Sequence, residues 1–119
     1  MKILAIGGCG SMGRYAIRAA QNYSAIKEII IADINKESAE TFAANLNQKV
    51  SAIQLDANDA SALKQAMENI DIVVNTCGPY FKFGAPILSA AISSGCNYID
   101  ICDDWEPTID MMKLDAKAK

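Results

Sequence analysis

Gly8, Gly10 and Gly13 fall in the spacing G-x-G-x-x-G, directly after the apolar run Ile3-Leu4-Ala5-Ile6. Glycines at this spacing offer backbone rather than side chains to a ligand. Gly8 is expected to make the tight turn and Gly10 to let the chain approach a pyrophosphate. Gly13 is expected to let the following helix pack closely on the strand. The amides near Ser11 and Met12 would then face phosphate oxygens at the positive end of that helix. Three glycines in a loop also make an ordinary turn. The apolar strand before them and the helical pattern after them favour the phosphate reading.

Asp33 lies roughly 20 residues past the glycine turn, where a carboxylate of such a domain accepts hydrogen bonds from a ribose. The alternative is a helix-capping Asp. A carboxylate at that place repels a 2′-phosphate, so NAD is the expected cofactor; Lys36 is the nearby cation through which NADP is also admitted. Asp56 ends a third apolar stretch and is placed to reach an adenine edge, or to make an Asx-turn into the next helix. Asn75-Thr76-Cys77-Gly78 ends a fourth. Gly78 there would let the nicotinamide half approach backbone, or simply turn the chain. Tyr98 to Asp104 closes in a carboxylate cluster, read as a cap for the next helix rather than a clamp for an amino group. No residue is marked as a proton donor, so the catalytic residues are left unassigned.

These positions need a scaffold, and the pattern supplies one. Lys2–Ile6, Glu28–Ala32, Val50–Leu55, Asp71–Asn75 and Asn97–Ile101 read as short buried strands. Between them, apolar residues recur at helical spacing. Met12, Ala16, Ala19, Ala20 and Tyr23 mark the first helix, and Ala39, Phe42, Ala43 and Leu46 the second. Leu63, Met67 and Ile70 follow an N-cap at Asn58 or Asp59. Ile87, Leu88, Ala91 and Ile92 belong to a helix that Gly84 and Pro86 open, after a loop holding Tyr80, Phe81 and Phe83. Pro107 opens a last helix running to the end of the chain. This alternation predicts an α/β doubly wound parallel sheet, a Rossmann fold, as one domain over 1–119.

Composition narrows the partners. The 119 residues carry a net charge of −3 and no Lys/Arg run, which argues against nucleic acid or an anionic membrane. No apolar stretch approaches the roughly 20 residues of a membrane helix. The four cysteines (Cys9, Cys77, Cys96, Cys102) form no C-x-x-C pair, and there is no His to complete a metal set. Free thiols in a reducing cytoplasmic setting are expected.

Four stretches in order, Gly7 to Gly13, Leu55-Asp56-Ala57-Asn58-Asp59, Asn75-Thr76-Cys77-Gly78-Pro79-Tyr80 and Gly95-Cys96-Asn97-Tyr98-Ile99-Asp100, resemble the N-terminal NAD(P)-binding domain of the saccharopine dehydrogenase/reductase family. Lysine 6-dehydrogenase and carboxynorspermidine dehydrogenase are among its members. The resemblance implies oxidoreduction at a carbon–nitrogen bond of an amino acid or polyamine. It implies that Gly8, Gly10, Ser11, Met12 and Gly13 hold the pyrophosphate, Asp33 the ribose and Asp56 the adenine side, with Cys77 and Gly78 near the nicotinamide ribose. It also implies a separate substrate domain beyond residue 119, without which this stretch binds dinucleotide but turns over little. A homo-oligomer is compatible with it. The rival reading is a nucleotide-sensing Rossmann module of a transporter, which leaves the Pro79-Tyr80 and Tyr98-to-Asp100 stretches unexplained.

Overall fold

The computed structural model describes residues 1–119. In chain order the elements are β1 (Lys2–Ile6), α1 (Ser11–Ala20), β2 (Glu28–Asp33), α2 (Lys36–Ala44), β3 (Val50–Gln54), α3 (Ala60–Ala66), β4 (Ile72–Asn75), α4 (Tyr80–Ser93), β5 (Asn97–Asp100), α5 (Trp105–Met112) and α6 (Asp115–Ala118). The five strands are all parallel, in the order β3-β2-β1-β4-β5. The chain therefore reverses direction across the sheet between β1 and β4, which creates a crevice at their carboxyl ends.

The sheet is covered on both faces because its central strands carry continuous apolar runs, Ile3–Ile6, Ile29–Ala32 and Ile72–Val74. Ile3 and Ala5 of β1 with Ile29 and Ile31 of β2 pack under Ile17 of α1 and Ala39 and Phe42 of α2. Leu4 and Ile6 point the other way, with Val73 of β4, and meet Leu63, Met67, Ile87 and Ala91. No helix is long and apolar enough to cross a membrane.

Three details differ from the sequence reading. On α1 the buried residues are Gly13 and Ile17, whereas Met12 and Tyr23 are 56% and 64% exposed. A face rich in Ala and Met matched the helical period, but Gly13 lies against the turn at Gly7 and Gly8 and Ile17 packs on the strands, and these contacts set which side turns inward. The helix expected from Gly84 begins at Tyr80, with Pro79 at its N-cap and Pro86 inside it. The aromatic stretch is its first turn: Phe83 packs on the core while Phe81 is exposed. Lastly, α5 opens at Trp105, not Pro107. A proline in the first turn removes an N–H that lacks an intrahelical partner anyway. The helix then stops, and α6 follows as a separate turn after Leu114.

Candidate functional site

The loop from β1 to α1 is built on backbone contact. Gly7, at φ +71, is left-handed and makes the tight turn, the role the sequence reading gave to Gly8. Its amide donates to Ala32 O at 2.9 Å and its carbonyl accepts from Gly10 N at 3.0 Å. Gly8 instead makes room for packing, since a Cβ there would lie 2.8 Å from Ile17 Cδ1 and 2.9 Å from Ala5 O. A Cβ on Gly13 would lie 2.7 Å from Gly7 O and from Gly8 Cα, so at Gly13 α1 sits directly against the turn rather than the strand. Gly10 is unlike these. It has ordinary extended backbone, and its nearest neighbour, Gly7 O, would be 3.2 Å from an added Cβ. An added Cβ would be tight against Gly7 O but would meet no other atom within 4 Å, so Gly10 is crowded on one side only and open on the other, which is the property a closely approaching ligand requires.

Gly10 is the N-cap of α1; no side chain caps it, and no acidic residue lies in the first turn. The leading amides, Ser11 and Met12 among them, thus meet neither a capping oxygen nor a repelling carboxylate. That suits an anion.

The carboxyl edge of the sheet gathers the other predicted residues. Ile6, Gly7, Asp33, Ile34, Asp56, Asn58, Cys77, Gly78 and Phe83 line one cleft of about 190 Å³, contributed by the ends of β1, β2, β3 and β4 and the first turn of α4. A larger apolar hollow, about 350 Å³, lies away from the turn between α4, β5 and α5 and lacks such convergence. Asp33 Oδ1 accepts from the Asn35 amide at 3.1 Å. Asn35, not Asp33, caps α2, by accepting from Ser38 N at 2.9 Å. Asp56 makes the Asx-turn that was one of its two readings: its Oδ1 accepts from Asn58 N at 2.8 Å and Asn58 Nδ2 at 2.9 Å. Those bonds hold its carboxyl below the ordinary value near 3.8. The cap of α3 is Asp59.

Beyond Asp33, a polar hollow of about 280 Å³ is lined by Arg14, Asn35, Glu37, Ser38 and Thr41. Arg14 is held there by three contacts: Nε donates to Cys9 O at 2.7 Å, Nη2 to Ser38 Oγ at 3.2 Å, and the guanidinium lies 4.5 Å from the Phe42 ring centroid. Sequence reasoning missed Arg14, although it stands one residue after Gly13. Lys36, the cation it did name, pairs with Glu40 at 3.7 Å in an exposed i,i+4 contact.

All four cysteines are free and half-buried. Burial, then the Asp33 carboxylate, pushes Cys9 above its ordinary value, and burial does the same to Cys77. Both stay protonated near neutral pH. Asp104 takes the N-cap position of α5, but its carboxylate caps nothing; its carbonyl accepts from Thr108 Oγ1 at 2.7 Å. No three His, Cys, Asp or Glu side chains are grouped to hold a metal ion.

Residues 3–119 match the family model described as saccharopine dehydrogenase NADP binding domain. The chain belongs to this family. Among curated proteins it is 29% identical over 114 residues to a probable mitochondrial saccharopine dehydrogenase-like oxidoreductase of Arabidopsis thaliana, covering 85% of this chain and 25% of that protein. It is 30% identical over 78 residues to the Rattus norvegicus saccharopine dehydrogenase-like oxidoreductase, covering 66% of this chain and 18% of that protein. The chain thus spans a quarter or less of the length of these relatives. In fold it resembles apo saccharopine dehydrogenase (L-Glu forming) of Saccharomyces cerevisiae, with TM-score 0.78 and 19% identity over 98% of this chain and 24% of that one. It likewise resembles the Citrobacter triphenylmethane reductase complexed with NADP(H), with TM-score 0.76 and 18% identity over 99% of this chain and 45% of that one. This saccharopine dehydrogenase-type chain is therefore an NAD(P)-binding domain of the α/β Rossmann class.

Proposed function

We propose that this chain is the cofactor-holding part of an oxidoreductase acting on a carbon–nitrogen bond of an amino acid or polyamine. One observation carries the binding half of the reading: Gly10 leaves room on its exposed side, while Gly7, Gly8 and Gly13 are each packed against protein. In this reading the open turn and the first amides of α1, with Ser11 and Met12, hold the pyrophosphate. Asp33 accepts from the adenosine ribose, Asp56 lies at the adenine side, and Cys77 and Gly78 lie beside the nicotinamide ribose. A nicotinamide dinucleotide bound there supplies hydride transfer; the chain's own residues bind and orient it. The substrate class rests on family membership. By itself the 119-residue stretch binds cofactor and is inactive, and its free thiols suit a reducing cytoplasm.

NAD is the preferred form, because the Asp33 carboxylate stands where a 2′-phosphate would come. A second reading, NADP, is favoured by Arg14, whose fixed guanidinium faces the polar hollow next to Asp33. Calorimetric titration of the 119-residue chain with NADH and NADPH tests both. Saturable binding with NADH tighter supports the first reading, and NADPH tighter the second. Absence of binding by either contradicts the function proposed.

A further inference from the structure

Asn75 is the one polar side chain in the buried core, at 0% exposure. It ends β4, immediately before the Cys77-Gly78 turn. A buried amide survives only where each of its polar atoms has a partner. Asn75 Nδ2 donates to the Tyr98 phenol oxygen at 2.9 Å, and Oδ1 accepts from the Cys77 amide at 2.9 Å. Its main-chain carbonyl accepts from the Tyr80 phenol at 2.9 Å. The end of β4 is thus tied at one residue both to the nearby first turn of α4 and to β5, 23 residues on. Neither phenol ionises near neutrality. Burial, with the Asp100 carboxylate also contributing, pushes Tyr98 far above its ordinary value of 10, and burial raises Tyr80 as well.

The same set fixes what the turn offers to the cleft. The Cys77 amide is spent on Asn75, and Thr76 is held by its amide to Ile6 O at 2.9 Å. Gly78 is exposed, and nothing lies within 4 Å of where its Cβ would stand. Its lack of a side chain serves no internal packing, and it lines the cleft with Cys77. We infer that Asn75, Tyr98 and Tyr80 are positioning residues that hold the Cys77-Gly78 backbone for the nicotinamide half of the dinucleotide. The adenosine half, on Gly10 and Asp33, does not depend on them. This inference rests on the dinucleotide reading above.

The polarity of the bonds gives a specific test. Tyr98→Phe keeps the ring and removes the acceptor of Asn75 Nδ2, so the amide is freed to turn and release the Cys77 N–H. Calorimetry on the 119-residue chain compares NADH with ADP, which lacks both the nicotinamide and its ribose. Tyr98→Phe is expected to raise the Kd of NADH about tenfold, the effect of one orphaned buried polar group, and to leave that of ADP within about twofold. Tyr80→Phe, which spares the Asn75 side chain, moves NADH in the same direction by less. Gly78→Ala, folded and with the Asn75 bonds intact, also weakens NADH selectively. Equal weakening of both ligands in a folded Tyr98→Phe variant, or no change in either, overturns the positioning role and leaves the dinucleotide reading standing. If the unaltered chain binds neither ligand, it is the dinucleotide reading that fails, and the positioning role falls with it.

Discussion

Gly7 and Cys77 meet backbone to backbone: a Cβ on Gly7 would lie 2.9 Å from both Cα and N of Cys77. The turn after β1 and the turn after β4 thus touch at the point where the sheet order reverses. The link is strengthened from the other side by Thr76 Oγ1, which lies 3.1 Å from both Ile6 O and Gly7 O. These contacts leave no room for a side chain on Gly7 and set the spacing of the two turns, while Gly10 and Asp33 make none of them.

The glycines of the turn separate by what a methyl would meet. Gly13→Ala places Cβ 2.7 Å from Gly7 O and Gly8 Cα, both main-chain atoms that cannot step aside. Overpacking of this kind costs about 2 kcal/mol. For a chain of this size the melting temperature is expected to fall by roughly 8 °C. A thermal melt that is unchanged in Gly13→Ala would show that α1 does not rest on the turn.

Asp33→Ala should change selectivity more than stability. The carboxylate has one hydrogen bond inside the protein, to Asn35 N at 3.1 Å. A ribose hydrogen bond to a charged acceptor contributes about 1.5–3 kcal/mol, so the Kd of NADH is expected to rise at least about tenfold. NADPH should be weakened far less, because the repulsion of its 2′-phosphate is removed while Arg14 remains. Parallel calorimetric titrations check this, and equal loss for both cofactors would remove Asp33 from the ribose.

Tyr98 makes alkaline stability informative. Its folded-state value lies above the unfolded value of about 10, since burial and Asp100 disfavour the phenolate. The protonated phenol therefore contributes stability in full below pH 10, and this contribution is lost as pH rises beyond it, because the unfolded chain ionises first. Melting temperatures measured from pH 8 to 11 should fall more steeply in the natural chain than in Tyr98→Phe. Parallel profiles would mean that the phenol is not buried against Asn75 and Asp100.

How much of this was legible in the residues depends on how local the cause is. The five strands and their order of appearance follow from apolar runs such as Ile29-Ile30-Ile31-Ala32, and Asp33 was identifiable from its distance to the turn. The inward face of α1 was not. Met12, Ala16 and Ala19 satisfy the helical period as well as Gly13 and Ile17 do, and contact with β1 decides between them. The start of α4 was hidden for a related reason. Pro79, Gly84 and Pro86 all signal interruption locally, but the bond from the Tyr80 phenol to Asn75 O and the burial of Gly84, Ile87 and Ala91 hold the segment helical through Pro86. Asn75 and Tyr98 entered the sequence reading only as members of two separate family-like stretches, not as partners. Their 23-residue separation closes to a 2.9 Å hydrogen bond only when β4 and β5 pair. Arg14 was passed over because its partners, Ser38 and Phe42, lie on α2.

The glycine turn as the cofactor site is tested most directly by Gly10→Val. The backbone at Gly10, φ −71 and ψ 171, is open to valine, and the nearest contact to an added Cβ is Gly7 O at 3.2 Å. The variant should fold with Gly7 O giving by a few tenths of an ångström, and the poorer N-cap costs about 1 kcal/mol besides. Its side chain would fill the space left beside the first amides of α1. Titration with NADH, followed by the cofactor's own fluorescence alongside a thermal melt, should give saturable binding in the natural chain and none in a folded Gly10→Val. Unchanged NADH affinity in that variant would contradict the turn as the binding site.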